Sequence, residues 1–122
     1  MTSGRTELWH NPRCSKSRTA TAFLDEAGLE YSVRKYIDEP PSAAELRDVL
    51  RRLGVEPWDI VRTGERIAKE LDMANWGRAD NDRDRWVAAM VEHPALIQRP
   101  IVLTADGGAV VARDEAALRN LL

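Results

Sequence analysis

Strand-like patterning is confined to the two ends of this 122-residue chain, and the long stretch between them has helical periodicity. Glu7-Leu8-Trp9-His10 reads as a short first strand, followed by an Asn11-Pro12 turn. The next run places Ala20, Phe23, Leu24 and Ala27 on one helical face, with Gly28 positioned to end it. Tyr31, Val33 and Lys35 then alternate with Ser32, Arg34 and Tyr36, the period of a second strand. Two strands joined through a helix lie parallel with a right-handed crossover. The loop after the first strand therefore falls at the carboxyl edge of the sheet, where α/β sites form.

Past the Pro40-Pro41 break, Ser42 and Glu45 form a capping-box pair. Leu46, Val49, Leu50 and Leu53 supply the apolar stripe of a helix that Gly54 closes. Pro57 opens a short turn through Trp58 to Val61, and Glu65 to Leu71 supports another. A further helix runs from about Asp82 to Glu92, with Trp86, Ala89, Met90 and His93 at helical spacing before Pro94. Ile101-Val102-Leu103-Thr104 and Ala109-Val110-Val111 flank Asp106-Gly107-Gly108 as a β-hairpin, and Asp114 can cap a last helix carrying Leu118, Leu121 and Leu122. The predicted order is β-α-β, a helical block, then β-β-α. It describes an α/β chain with a mixed sheet, one domain over residues 1–122 with a helical insertion at about 42–93. This is the order of the thioredoxin-like fold, although other small α/β sandwiches share it. Pro100 sharpens the choice, because a proline there in a thioredoxin-like sheet is expected to follow a cis peptide bond and to stand beside the active cysteine.

Cys14 is the only cysteine, and it sits in His10-Asn11-Pro12-Arg13-Cys14-Ser15-Lys16-Ser17-Arg18, between the first strand and the first helix. A sulfur at a helix N-terminus faces unpaired N–H groups and the positive end of the helix dipole, with Arg13, Lys16, Arg18 and His10 close in sequence. Such surroundings bring a thiol from about 8.5 into the range of roughly 3.5–7.5. A free cysteine is often simply a small buried hydrophobe, but polar and basic neighbours are poor company for a core position. One thiol cannot form an intramolecular disulfide, so redox turnover at Cys14 requires an external thiol. With two histidines and no Cys/His ligand cluster, neither a bound cofactor nor a metal is expected. The net charge of −2, with both signs interspersed, offers no cationic face for a nucleic-acid backbone. No run approaches the ~20 apolar residues of a membrane span, and Met1-Thr2-Ser3-Gly4-Arg5 leads into no apolar signal core. A reducing cytoplasm is the expected compartment.

Four separated motifs carry a family resemblance: the segment around Cys14, Tyr36-Ile37-Asp38-Glu39-Pro40-Pro41, Ile60-Val61-Arg62, and His93-Pro94-Ala95-Leu96-Ile97-Gln98-Arg99-Pro100-Ile101-Val102. In this order and spacing they resemble the glutaredoxin-coupled arsenate reductases of the ArsC type, from about Glu7 to the C-terminus. The resemblance implies reduction of arsenate to arsenite with Cys14 as nucleophile. Glutathione or a similar thiol would then attack the adduct, and a glutaredoxin-like protein would remove the mixed disulfide. It also implies that His10 helps to lower the cysteine pKa, that Ser17 lies near the sulfur, and that Arg62, Arg99 and Arg113 hold the oxyanion and its adducts. Without a gap the last arginine position would fall on Ala112, and a hairpin one residue longer brings Arg113 into register.

The chemistry supports such a set independently of the family. A tetrahedral oxyanion offers several acceptors to guanidinium forks, and positive charge offsets the repulsion between an anionic nucleophile and an anionic substrate. Three other readings compete with it. An Spx-type regulator that binds RNA polymerase shares the fold, but such proteins usually carry Cys-x-x-Cys where this chain has Ser17. A reductase of the same family acting on another substrate fits the same residues. A phosphatase-like Cys-x5-Arg loop fails, because its arginine position is Ala20.

Overall fold

The computed structural model describes residues 6–121. Its strands are β1 (Thr6–Trp9), β2 (Tyr31–Arg34), β3 (Ile101–Leu103) and β4 (Ala109–Val111). They form one mixed sheet in the order β2-β1-β3-β4, with β1 parallel to β2 and antiparallel to β3, and β3 antiparallel to β4. The helices are α1 (Ser15–Glu26), α2 (Ala43–Leu53), α3 (Arg66–Glu70), α4 (Arg83–Glu92) and α5 (Glu115–Arg119). This is the thioredoxin-like β-α-β and β-β-α pattern with the helical block between its halves. The segment Met1–Arg5 and Leu122, which entered the sequence reading, lie outside the described residues.

Two units can be distinguished: residues through Glu39 together with Arg99 onward, and Pro40–Gln98. In the first, strand alternation sorts side chains to opposite faces of the sheet. Leu8 on β1 is paired with Val102 on β3, and with Ala20, Leu24, Ala112 and Leu118 they form a buried cluster against which Phe23, Tyr31 and Leu121 pack. Trp9 and its partner Ile101 point the other way and are also buried. Gly28 ends α1 at φ +71°, a left-handed conformation that costs glycine no Cβ clash. The Asp114 carboxylate accepts the Ala117 N–H at 2.8 Å and so caps α5.

Local departures from the sequence reading have physical causes. Ala27 is exposed, and Ser17 occupies the buried stripe of α1 with Ala20 and Leu24. Strand β2 stops at Arg34, because the Lys35 carbonyl accepts the N–H groups of Asp38 and Glu39 and turns the chain. Val33 is 48% exposed, as befits a residue on the outermost strand of the sheet.

In the second unit, Ser42 and Glu45 form the expected capping box and Leu46, Val49 and Leu50 are buried along α2. Trp86 on α4 is fully buried, with Trp58 and Trp76 edge-on at 6.2 and 5.3 Å, so these indoles pack together as core. A short antiparallel bridge between Val61 and Ile97, with the Arg62 N–H donating to Leu96 at 2.7 Å and that of Gln98 to Ile60 at 2.8 Å, holds the segment that carries Arg62. No described helix is long and apolar enough to cross a membrane.

Candidate active site

The parallel ladder runs one residue past β1, where the His10 N–H donates to the Arg34 carbonyl at 2.8 Å. The chain then folds back on itself before α1. The Cys14 N–H donates to the Asn11 carbonyl at 2.9 Å, the Arg13 N–H to Asn11 Oδ1 at 3.0 Å, and the Arg18 guanidinium to the Pro12 carbonyl at 2.9 Å. The fully buried Ser17 hydroxyl accepts the Asn11 N–H at 3.3 Å, tying the loop to the first turn of the helix. Asparagine at a turn supplies this side-chain acceptor, and proline presets the backbone. Cys14 is thereby fixed in extended geometry as the N-cap of α1, at φ −96° and ψ 126°. Its sulfur closes no capping hydrogen bond of standard geometry, yet the backbone N–H groups of Ser17 and Lys16 face it.

Burial of Cys14 by itself would raise the thiol pKa. The hydrogen bond from the Arg99 side chain, the N–H groups of Ser17 and Lys16, and the positive charge of Arg99 outweigh that effect and lower it from 9.0 to about 7. About half of the molecules therefore carry a thiolate at neutral pH. On Arg99 itself, burial disfavours the cation, but the neighbouring Cys14 and Tyr36 more than compensate, so it stays protonated.

Sheet register explains why a residue from the far end of the chain reaches the sulfur. Trp9 pairs with Ile101 on one side and with Arg34 on the other. Arg99 lies just before β3 and Tyr36 just after β2, so both segments meet the sheet at the carboxyl edge of β1. Pro100, which follows a cis peptide bond, is buried and its carbonyl accepts the Ala112 N–H at 2.8 Å.

Among the described residues, the cations near Cys14 in sequence contribute less than expected. The Arg18 guanidinium is engaged by the Pro12 carbonyl, Lys16 acts on the sulfur through its backbone, and Arg13 is not among the groups that lower the thiol pKa. His10 is only 9% exposed and its Nδ1 has no hydrogen-bond partner among the described residues. Burial first, then the charges of Lys35 and Arg18, lower its pKa below 6.5, so the imidazole is neutral at pH 7 and lends no positive field to the sulfur.

The structure brings Cys14, Ser17 and Arg99 together. Arg113 is exposed and lines a cleft of about 330 Å³ with Lys16, Phe23 and Leu118. Ala112, the neighbouring position in the register question, is a core residue at 1% exposure. Arg62 belongs to the helical unit, where its guanidinium pairs with Glu65. Tyr36 is the site residue that sequence reasoning missed. Its signal was a lone tyrosine just before a polar turn, a phenol that needs a partner once buried.

The model of the ArsC family matches residues 9–121 of this chain. An uncharacterized protein from the glnII region of Streptomyces viridochromogenes is 53% identical over 95% of this chain and 98% of that protein. An arsenate reductase of Neisseria meningitidis is 43% identical over 88% of this chain and 89% of its own. Among solved structures, an arsenate reductase from Vibrio cholerae superimposes with a TM-score of 0.87 at 37% identity, over 97% of this chain and 98% of that one.

Proposed function

We propose that this chain, which belongs to the ArsC family, reduces arsenate to arsenite through a covalent adduct on Cys14, with glutathione or a similar thiol as co-substrate. The observation that carries the reading is the contact of Arg99 with Cys14 Sγ at the N-terminus of α1, which pairs a thiolate near neutrality with a guanidinium fork. An anionic nucleophile and an anionic oxyanion repel, and a fork that already neutralises the sulfur is suited to receive oxyanion oxygens as well.

In the proposed sequence, the thiolate forms an S–As bond and an arsenate oxygen leaves as water after protonation. An external thiol then forms a sulfur–sulfur bond with Cys14. The two thiols are oxidised to a mixed disulfide while arsenic(V) gains two electrons and leaves as arsenite. Thiol–disulfide exchange with a glutaredoxin-like partner regenerates the Cys14 thiol, and its leaving ability is favoured by the low pKa. Because the chain has one cysteine, both reducing sulfurs of that exchange come from outside it. A cytoplasmic thiol pool would meet that need. The assignment of Arg62 and Arg113 as oxyanion ligands rests on their motif positions, and that of His10 on its place before the cysteine loop.

The test is purified protein with arsenate, glutathione, glutaredoxin and glutathione reductase, following NADPH consumption and arsenite directly. Arsenite formation that disappears in Cys14→Ser supports the reading. Intact protein that yields no arsenite with glutathione, thioredoxin or dithiothreitol overturns it and points to a different oxidised substrate.

A further inference from the structure

A chain with one cysteine must draw the second sulfur of a redox cycle from outside, and a cleft suited to receive it starts at the edge that carries Cys14. Strand β4 runs parallel to β1, because each is antiparallel to β3. Ala112 and Arg113, which follow β4, therefore lie at the carboxyl edge of β1, as the Cys14 loop does. There Arg113 lines a cleft of about 330 Å³ together with Lys16, which stands two residues after the Cys14 N-cap. Thr19, Phe23 and Glu26 continue the lining at helical spacing along α1, so the cleft extends about 15 Å from Lys16 to the last residue of that helix. Its floor is apolar, because Ala112 and Leu118 are buried and Phe23 is half-buried. Charge is sorted along its length. Lys16 and Arg113 are exposed at the Cys14 end, and among the described residues neither pairs with a carboxylate. Asp114 also lines the cleft, but its carboxylate accepts the Ala117 N–H at 2.8 Å. The exposed Glu26 lies at the far end.

Two unpaired cations near the sulfur, an apolar floor and a carboxylate one helix length away match a short acidic peptide better than a simple alkyl thiol, which would leave both cations unused. The volume suits a small molecule, at the lower end of the ~300–1,000 Å³ that such sites occupy. An extended tripeptide spans about 10 Å, within the length of the cleft. We propose that this cleft binds the external thiol as a tripeptide of glutathione's charge pattern, with Lys16 and Arg113 on its C-terminal carboxylate and Glu26 toward its α-ammonium. Bound there, the thiol meets Cys14 at high effective concentration. Its sulfur forms the bond to Cys14 while the S–As bond breaks and arsenic takes the electron pair. Arg113, assigned to the oxyanion by its motif position, gains a second task in this cleft. The inference rests on the proposed use of an external thiol at Cys14 and not on arsenate being the oxidised substrate.

The test converts Cys14 to its 2-pyridyl disulfide and follows release of pyridine-2-thione by absorbance. An attacking thiolate forms the new sulfur–sulfur bond and the thione leaves, so the assay reads thiol delivery with no arsenate present. With glutathione the rate should saturate, half-maximal at about 1 mM or below, in the range of enzyme KM values. With 2-mercaptoethanol, which has no carboxylate, it should rise linearly. Lys16→Gln and Arg113→Gln together should lower the ratio of the glutathione rate to the 2-mercaptoethanol rate about 5- to 20-fold. Ala22→Trp fills the cleft from an exposed position on α1 without changing charge, and should lower that ratio about 10-fold. A glutathione rate that stays linear, or variants that slow both thiols equally, overturns the proposal. Should the variants fail to fold, the native chain supplies the measurement. S-methylglutathione should then slow release by glutathione and not by 2-mercaptoethanol, and an absence of competition overturns the proposal. Failure to form arsenite would sink the proposed activity and leave this inference standing.

Discussion

Replacing Arg99 with glutamine removes the one charged side chain among the described residues that lowers the pKa of the Cys14 sulfur, and keeps a polar side chain of similar reach. In the native chain the thiol sits at about 7, so about half is ionised at neutral pH. Without the guanidinium, only the N–H groups of Ser17 and Lys16 oppose the effect of burial. The pKa should then return to between about 8 and 9, where roughly a tenth to a hundredth of the thiol is ionised at pH 7. That corresponds to a 5- to 50-fold slower alkylation at pH 7, and to about 1.4–2.7 kcal/mol in the free energy of ionisation. The assay is the pH dependence of thiolate absorbance near 240 nm together with the iodoacetamide rate, on protein whose circular dichroism matches the native chain. Arg99→Lys should fall between the two, because it restores the charge without the planar fork. A midpoint that stays at about 7 in Arg99→Gln would show that the helix amides alone hold the thiolate. A native midpoint near 9 would refute the activation altogether.

Three further outcomes follow from the same structure. The folded thiol has a lower pKa than the free value of 9.0, so the stabilisation it contributes is complete above pH 9 and is lost as pH falls through about 7. Relative to Cys14→Ser, the native chain should gain in melting temperature from pH 7 to 9, and a constant difference would contradict this. His10 is held below its free value of 6.5, so the folded state binds fewer protons and stability should decline as pH drops below 6.5; His10→Gln should flatten that decline in acid titrations. Leu24 is fully buried between the sheet and α1, and Leu24→Ala should cost about 2–5 kcal/mol in urea unfolding without moving the Cys14 alkylation midpoint.

The ends of the helices and the place of the cysteine were legible because their causes are local. A serine three residues before a glutamate, an aspartate before an apolar run, and a glycine after a helical stripe satisfy or release backbone groups within one turn. The same short-range geometry put Cys14 at the N-terminus of α1. The electrostatics of the sulfur were not legible in this way. Nearness in sequence favoured Arg13, Lys16 and Arg18, but hydrogen bonds inside the loop direct the Arg18 guanidinium to a carbonyl and leave Lys16 to act through its backbone. The histidine looked like a cationic helper, and burial makes it neutral.

By itself the sequence determined the order of strands and helices, the single thiol and the external sulfurs that a redox cycle at Cys14 would need. Only the tertiary structure decided which cation meets that thiol and what stands behind it. The physical reason is register. Pairing Trp9 with Ile101 and with Arg34 draws Arg99 and Tyr36, from opposite sides of the helical block, to one edge of the sheet, and no periodicity within either segment encodes that meeting.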